Sequence, residues 1–259
     1  MGYESEIFKR VKVMRLFCSI LFIVLSGLPA GATSVVYAHQ DEFAKAVEKL
    51  KSQSVDERRD AVEALGALED KRAVEPLIAA LKDTSPDVRA AAANALSFYE
   101  DKRAVEPLIG LLKDEIAFVR AAAARVLGQL TDTRAVDSLM AALFDENSSV
   151  RGAAALGLGA IKDERALDKL LMKARDEAPD VRAAVAAALG GLHHKGGVQA
   201  LIQLLKDEYK MVRVSAALSL ADIGEKSATT ALQDAIANEK DEETRAQMKE
   251  ALQRLLAAK

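Results

Sequence analysis

Residues 101–114, DKRAVEPLIGLLKD, followed at residues 119–123 by VRAAA, form the stretch that decides the fold of this chain. Variants of this stretch recur along the sequence with a period of 31 residues, and an arginine marks every copy. The recurrent arginines are Arg58, Arg89, Arg120, Arg151, Arg182 and Arg213. Self-similarity with a period of about 20–50 residues is typical of stacked copies of one small structural unit. The sequence therefore predicts one elongated array and not a globular domain.

Each copy has the pattern of a helical hairpin. In the second copy, Val74 and Leu77 recur at helical spacing, and residues 83–85 interrupt the pattern. Ser85 can cap a second helix that begins at Pro86, where the missing N–H of proline costs no hydrogen bond. Each copy is thus predicted to hold a first and a second helix joined by a short turn.

Seven such hairpins can be traced, so the predicted fold class is all-α. The first helices are predicted over residues 42–51, 73–82, 104–113, 135–144, 166–175, 197–206 and 228–237. The second helices are predicted over residues 55–66, 86–97, 117–128, 148–159, 179–190, 210–221 and 242–256. A single hairpin buries too little apolar surface to fold alone, and each repeat is therefore expected to depend on its neighbours.

Glycine and proline give two local expectations. The glycines that recur near the ends of the second helices are Gly66, Gly128, Gly159 and Gly190. A left-handed residue terminates a helix readily, so these glycines are expected to end their helices. Pro76 and Pro107 fall in the second turn of the predicted first helices, and they predict a local bend there.

The first 38 residues do not share the repeat. Four basic residues precede an apolar run over residues 16–28, and Val36-Tyr37-Ala38 fits a signal-peptidase site with cleavage before His39. A start at Met14 would give a cleaner signal. The alternative is an uncleaved membrane anchor, but the apolar run is shorter than the roughly 20 residues that span a bilayer.

These features predict a signal peptide over residues 1–38 and the array over residues 39–259. The protein is then exported, a bacterial periplasm is the compartment that fits best, and anchoring to the inner membrane is the alternative. A membrane would be a partner only through an uncleaved leader. The formal net charge of −3 and an aromatic content of 4% argue against a nucleic-acid partner, which needs unpaired cationic clusters or stacking aromatics.

The repeated stretch resembles the HEAT-repeat family, and it is closest to the subclass called PBS-lyase HEAT-like repeats. The likeness covers about residues 42–256. It implies a right-handed α-solenoid whose usual work is protein binding. It also implies a structural ladder of acids and arginines between stacked repeats, formed by Asp83/Arg89, Asp114/Arg120, Asp145/Arg151, Asp176/Arg182 and Asp207/Arg213. The first copy departs from the pattern with Ser52, and the last with Asn238.

Two enzymatic relatives of this family define the alternative function, a ligand-handling or enzymatic solenoid. Deoxyhypusine hydroxylase holds a di-iron centre with His-Glu pairs, whereas His39, His193 and His194 of this chain are not followed by Glu. Phycobilin lyases hold a tetrapyrrole, and the export signal argues against that setting. We therefore predict no catalytic residue, no metal and no cofactor.

The adjacent pair His193-His194 is the most unusual turn of the repeat, because Gly196 and Gly197 follow it in place of Arg-Ala. A metal site would need further ligands at suitable distance. A softened turn that lets the array flex is the preferred interpretation, and a metal site or a contact to a partner is the alternative.

The candidate binding site comes from a helical wheel of the second helices. Positions that lie opposite their apolar face are expected to line a concave surface. The predicted binding residues are Asn94, Arg125, Leu156, Ala187, Val214 and Leu218. This surface changes from polar to apolar along the array, and an exposed apolar patch indicates a binding site. The alternative is that the leucines pack against neighbouring repeats. The sequence thus predicts a non-catalytic scaffold that binds a protein or peptide on its concave side.

Overall fold

The computed structural model describes residues 42–257, which contain helices and turns and no strand. The chain divides into two compact units, Met1–Glu48 and Lys49–Lys259. The predicted signal peptide lies outside the described residues. Their α-helices are α1 (42–49), α2 (Val55–Ala67), α3 (Val74–Ala80), α4 (Pro86–Leu96), α5 (Val105–Leu111), α6 (Ala117–Leu130), α7 (Val136–Ala142), α8 (Ser148–Ile161), α9 (Leu167–Lys173), α10 (Pro179–Gly191), α11 (Val198–Leu204), α12 (Lys210–Ile223), α13 (Thr229–Asn238) and α14 (Glu242–Ala257).

The helices from α3 to α14 form six successive hairpins of the second unit, and α1 and α2 occupy the residues predicted for a further hairpin. The all-α solenoid predicted from the repeat is confirmed, with helix ends within about four residues of the predicted ones. The first helices are shorter than predicted. A single turn of 3-10 helix, such as Lys71–Ala73, replaces the first turn of each one from α3 to α13.

An aspartate starts most of these 3-10 turns. Asp70 accepts a hydrogen bond from the backbone N–H of Arg72, and Asp101, Asp132 and Asp163 do the same in the next three copies. Since α3 begins only at Val74, Pro76 is its third residue and lies in its first turn.

The predicted position of the prolines in a second turn is therefore wrong. The N–H groups of a first turn have no partner within the helix, so Pro76 and Pro107 remove no helical hydrogen bond.

The expectation that glycines end the second helices is also wrong. Gly66, Gly128, Gly159 and Gly190 are buried inside α2, α6, α8 and α10. The residues with positive φ come three positions later, and they are Glu69, Glu100, Thr131, Lys162, His193 and Gly224. The glycines serve close packing instead. A Cβ on Gly159 would lie 2.5 Å from the Cα of Ala188 on α10.

Replacing Thr131 by glycine should stabilise the array. Thr131 is exposed and ends α6 with φ 49° and ψ 36°, a conformation that costs an L-residue about 1–2 kcal/mol. Part of the gain is lost because glycine is more flexible in the unfolded chain. We expect Thr131→Gly to raise the free energy of unfolding in urea by about 0.5–1 kcal/mol. The control, Thr133→Gly, changes an exposed residue outside that conformation and should destabilise; equal effects would contradict this account.

The hairpins stack in two layers within residues 49–257. Neighbouring second helices pack extensively against one another, while neighbouring first helices contact each other sparsely. The leucines Leu96, Leu127, Leu158 and Leu189 of the second helices are almost completely buried between the layers. An array bends toward its more closely spaced layer. The second helices therefore form the inner, concave layer, and the first helices form the outer layer.

Candidate interface on the inner layer

The recurrent arginines join successive hairpins. Arg120 donates from Nε to Oδ2 of Asp145 at 2.7 Å and from Nη2 to Oδ1 at 2.8 Å. The same two-bond contact joins Arg58 to Asp83, Arg89 to Asp114, Arg151 to Asp176 and Arg182 to Asp207. Each arginine therefore contacts the carboxylate of the following repeat, 25 residues later. These contacts are the ladder of the array.

The aspartate that precedes an arginine by six residues plays a different part. Arg120 donates from Nη1 to the backbone carbonyl of Asp114 at 2.8 Å and to that of Glu115 at 3.2 Å. Pairing of the two side chains within one repeat, as in Asp114/Arg120, is therefore not what the structure shows. The geometry needs only a backbone carbonyl at this position, and each arginine fastens its own interhelical turn to the next one.

This division of roles explains both departures at the ends of the array. Arg58 donates to the backbone carbonyl of Ser52 at 2.9 Å, for which no acidic side chain is needed. At the other end, Glu239 accepts from Nε of Arg213 at 2.6 Å and from Nη2 at 3.0 Å. The longer side chain of glutamate compensates for the shift of one residue, so Asn238 is not required.

The ladder is largely withdrawn from water. The Arg120 side chain is 8% exposed and that of Asp145 is 12% exposed. Burial alone would raise the pKa of Asp145, but hydrogen bonds from Arg120 and from the backbone N–H of Asn147 outweigh it, so this pKa lies below its ordinary value. The same balance lowers the pKa values of Asp114, Asp176 and Asp207.

The array should therefore lose stability in acid. The hydrogen bond from Arg134 lowers the pKa of Asp132 to about 2. Carboxylates with a lowered pKa stabilise the fold above their unfolded value of about 3.9, and this contribution disappears as the pH falls through the folded value. We expect the free energy of unfolding in urea to decline mainly between about pH 4 and pH 2. The slope should be shallower in Asp132→Asn. A decline centred near neutrality would contradict this origin.

A second row of arginines lies on the surface. Arg103 contacts Glu75 of the preceding repeat at 2.7 Å, and Arg165 contacts Asp137 at 3.2 Å, with both arginines about half exposed. The next position in this row is Gly196, which has no side chain to continue it. A Cβ on Gly196 would lie 2.9 Å from Cδ2 of Leu167, so the packing of this leucine requires glycine here.

The two histidines of this turn contact separate backbone groups. His194 takes the place of the capping aspartates and accepts from the N–H of Gly196 through Nδ1 at 3.1 Å. His193 has φ 50° and its Nδ1 donates to the carbonyl of Asp222 at 2.9 Å. The interruption of the surface row agrees with a softened turn, and flexing of the array stays a prediction.

The predicted binding residues all lie on the inner layer. Asn94, Arg125, Leu156 and Ala187 are exposed, and Val214 and Leu218 are half-buried. Leu156 is 53% exposed and is therefore not part of the core. The two residues on α12 are partly packed, so the apolar end of the predicted surface is less open than its centre.

A depression of about 480 Å³ lies beside Leu156, between α6, α8 and α10, and we call it the Leu156 groove. Its lining includes Arg125, Gly152, Ala153, Leu156, Ala160 and Ala184. The groove exists because small residues lie where other copies have larger side chains. Gly152, for example, stands where α2 has Arg59 and α12 has Val214. The sequence pattern contained this signal, but the wheel considered which side chains face outward and not the volume that they leave empty.

Chemistry-bearing clusters are not apparent in the described part. Among residues 42–257, no three His, Cys, Asp or Glu side chains converge so that they could hold a metal ion. Between the same limits, no helix combines the length and the apolar character needed to cross a lipid bilayer.

The sequence matches the family model for HEAT repeats over residues 43–124, 117–178 and 169–253. Because these matches cover most of the chain, the protein belongs to the HEAT-repeat family. The comparison with curated proteins gives no match.

Solved structures of similar fold include the complex of CpcE and CpcF of phycocyanin lyase from Nostoc sp., with a TM-score of 0.56, 24% identity, and coverage of 81% of this chain and 93% of that one. The Escherichia coli protein YibA gives a TM-score of 0.63 and 21% identity over 91% of this chain and 92% of its own. Kap95p, which binds RanGDP, gives 0.63 and 18% over 83% of this chain and 35% of its own. At these identities the likeness shows the fold alone.

Proposed function

We propose that this protein is an exported scaffold that binds a protein or peptide segment on its inner layer, at the Leu156 groove, without chemistry of its own. The observation that carries the proposal is an exposed leucine beside a groove lined by small residues. Export is part of the proposal and rests on the leader pattern of residues 1–38, which lie outside the described part. The complexes of CpcE with CpcF and of Kap95p with RanGDP support a protein partner, because they show this fold in assemblies.

The groove has the properties of a binding surface and not of the core. Leu156 points away from the apolar interior, in which Leu158 of the same helix is fully buried. Exposing a leucine over a groove lined by glycine and alanine offers a partner apolar area without a barrier of ordered side chains. A partner that covers Leu156 would gain from its burial, since about 1.5–3 kcal/mol accompanies full burial of such a side chain.

Leu156→Asp should abolish partner binding and leave the fold intact. We expect at least a tenfold loss of retention and a change in the free energy of unfolding within about 0.5 kcal/mol, because the side chain is exposed. The measurement is a crosslinking pull-down from the bacterial envelope, scored for proteins that the parent retains and Leu156→Asp does not. Leu218 is less suitable because it is half-buried.

The matched control is Met172→Asp, which changes a side chain that is 61% exposed on α9 of the outer layer. It should retain the same partners as the parent. A large drop in melting temperature in Leu156→Asp would show that this leucine supports the core, and equal retention by all three proteins would place binding elsewhere.

Ligand handling is the second candidate, and the size of the groove favours it. A volume of about 480 Å³ falls in the range of about 300–1,000 Å³ that is usual for small-molecule sites. An absorption spectrum and an elemental analysis of the purified protein distinguish the two functions. A visible band or a stoichiometric metal would favour ligand handling, and a colourless, metal-free protein would favour the scaffold.

A further inference from the structure

One cation stands out at the rim of the Leu156 groove. Arg125 lies on α6 at the position that Leu156 occupies on α8, one period of 31 residues later. The same position holds Glu63, Asn94, Ala187 and Leu218 in other copies. A positive charge therefore appears once in this column, and it adjoins the apolar part of the groove.

The described residues do not neutralise Arg125. Its Nη2 donates to Oδ1 of Asn94 on the preceding second helix, and no carboxylate of residues 42–257 lies within ion-pair distance of it. A neutral amide orients the guanidinium but leaves its charge, and most of its five N–H donors, available for another partner.

The comparison with Arg59 shows that this state is not general on the inner layer. Arg59 lies within 3.3–3.9 Å of Asp56, Asp60 and Glu63 on its own helix. A charge that is already paired offers little to a ligand. Arg125 has an orienting partner and no compensating one, which is the arrangement that a site for an anionic group requires.

We infer that the segment bound in the Leu156 groove carries a carboxylate side chain next to an apolar one. This inference rests on the proposed function and adds the chemistry of the partner to it. The carboxylate of an Asp or Glu accepts two parallel hydrogen bonds from a guanidinium, and the apolar side chain covers Leu156. A phosphorylated segment fits less well, because recognition of phosphate typically uses a cluster of arginines.

The spacing of the helices sets the separation of the two side chains. Packed helices lie about 8–10 Å apart, so Arg125 and Leu156 on α6 and α8 project from points separated by about that distance. An extended segment that runs along the array advances about 3.3 Å per residue. The acidic and the apolar residue should therefore be two or three positions apart.

A phage-displayed library of random segments tests this chemistry without knowledge of the natural partner. Segments of about seven residues suffice, since they span the three helices that line the groove at about 10 Å per step. Selection is carried out on the full chain, on Leu156→Asp, on Arg125→Glu and on Arg125→Gln, with Met172→Asp as the control. Binding of the selected synthetic peptides is then measured by fluorescence anisotropy.

The parent and Met172→Asp should enrich segments in which Asp or Glu lies two or three positions from an apolar residue. Arg125→Glu should lose about tenfold in affinity for them, the equivalent of one charged contact, and should instead enrich Lys or Arg at the same position. Arg125→Gln should keep the apolar preference and lose the acidic one.

The two proposals fail in distinguishable ways. Enrichment that depends on Leu156 but has the same acidic preference in all Arg125 variants would overturn the inference and leave the proposed function intact. Failure of the parent to enrich any segment that Leu156→Asp does not also enrich would overturn both. Self-association of the parent that Leu156→Asp abolishes would make a second copy the occupant and would also overturn the inference.

Discussion

Arg120→Met should lower the free energy of unfolding by about 3–5 kcal/mol, the effect of removing one partner from a buried ion pair. Asp145 would lose two hydrogen bonds, at 2.7 and 2.8 Å, while staying largely buried. The carbonyls of Asp114 and Glu115 would lose their donor as well. Methionine keeps part of the apolar stem, so the loss reports mainly the charge and the hydrogen bonds. Urea unfolding followed by circular dichroism gives the change.

The matched control is Arg165→Met in the surface row. Arg165 also contacts two carboxylates, but its side chain is 54% exposed. Solvent screens such a contact, and we expect a loss of at most about 1 kcal/mol. The double change Arg120→Met with Asp145→Leu should regain part of the loss, because an apolar pair leaves no buried charge. Similar losses in Arg120→Met and Arg165→Met would contradict a structural role for the buried ladder.

Gly159→Ala should destabilise the array by about 2–3 kcal/mol, although alanine is the better helix former. The new Cβ would lie 2.5 Å from the Cα of Ala188 and 3.1 Å from its carbonyl oxygen. Both atoms belong to the backbone of α10, so α8 and α10 must move apart. This separation weakens the inner layer at the hairpin junction next to the Leu156 groove.

Gly110→Ala is the control, because the sign of its effect should be opposite. Gly110 lies in α5, is exposed, and has no atom within 4 Å of the position of an added Cβ. The gain in helix propensity should then raise the free energy of unfolding by about 0.5–1 kcal/mol. Thermal unfolding of both variants gives the comparison, and stabilisation by Gly159→Ala would refute the close packing of the inner layer.

The repeat period explains why the fold was predictable and the ladder only in part. Leucine and valine at helical spacing, with a break at a fixed position in each copy, determine hairpins that bury one continuous core. The same period makes the ladder ambiguous. An acid six residues before one arginine is also 25 residues after the preceding arginine. Sequence spacing is therefore compatible with both Asp114/Arg120 and Arg89/Asp114, and only the packing of hairpins selects the second pair.

The glycines and the groove depended on distances that a sequence does not contain. The second helices α6 and α8 continue two residues beyond their predicted ends, which places Gly128 and Gly159 inside them. Their function is visible only when the neighbouring helix is present. The wheel placed Leu156 and Arg125 on the exposed face, but the empty volume between them arises from Gly152 and from the spacing of three helices.

Hydrogen–deuterium exchange of the protein, with and without a segment selected on it, tests the central claim most directly. The claim is that the inner layer around Leu156 is the binding surface of this array. Binding should protect peptides from α6, α8 and α10, and leave exchange in α7, α9 and α11 unchanged. Protection confined to these outer helices, or bound segments that protect Leu156→Asp equally well, would contradict it.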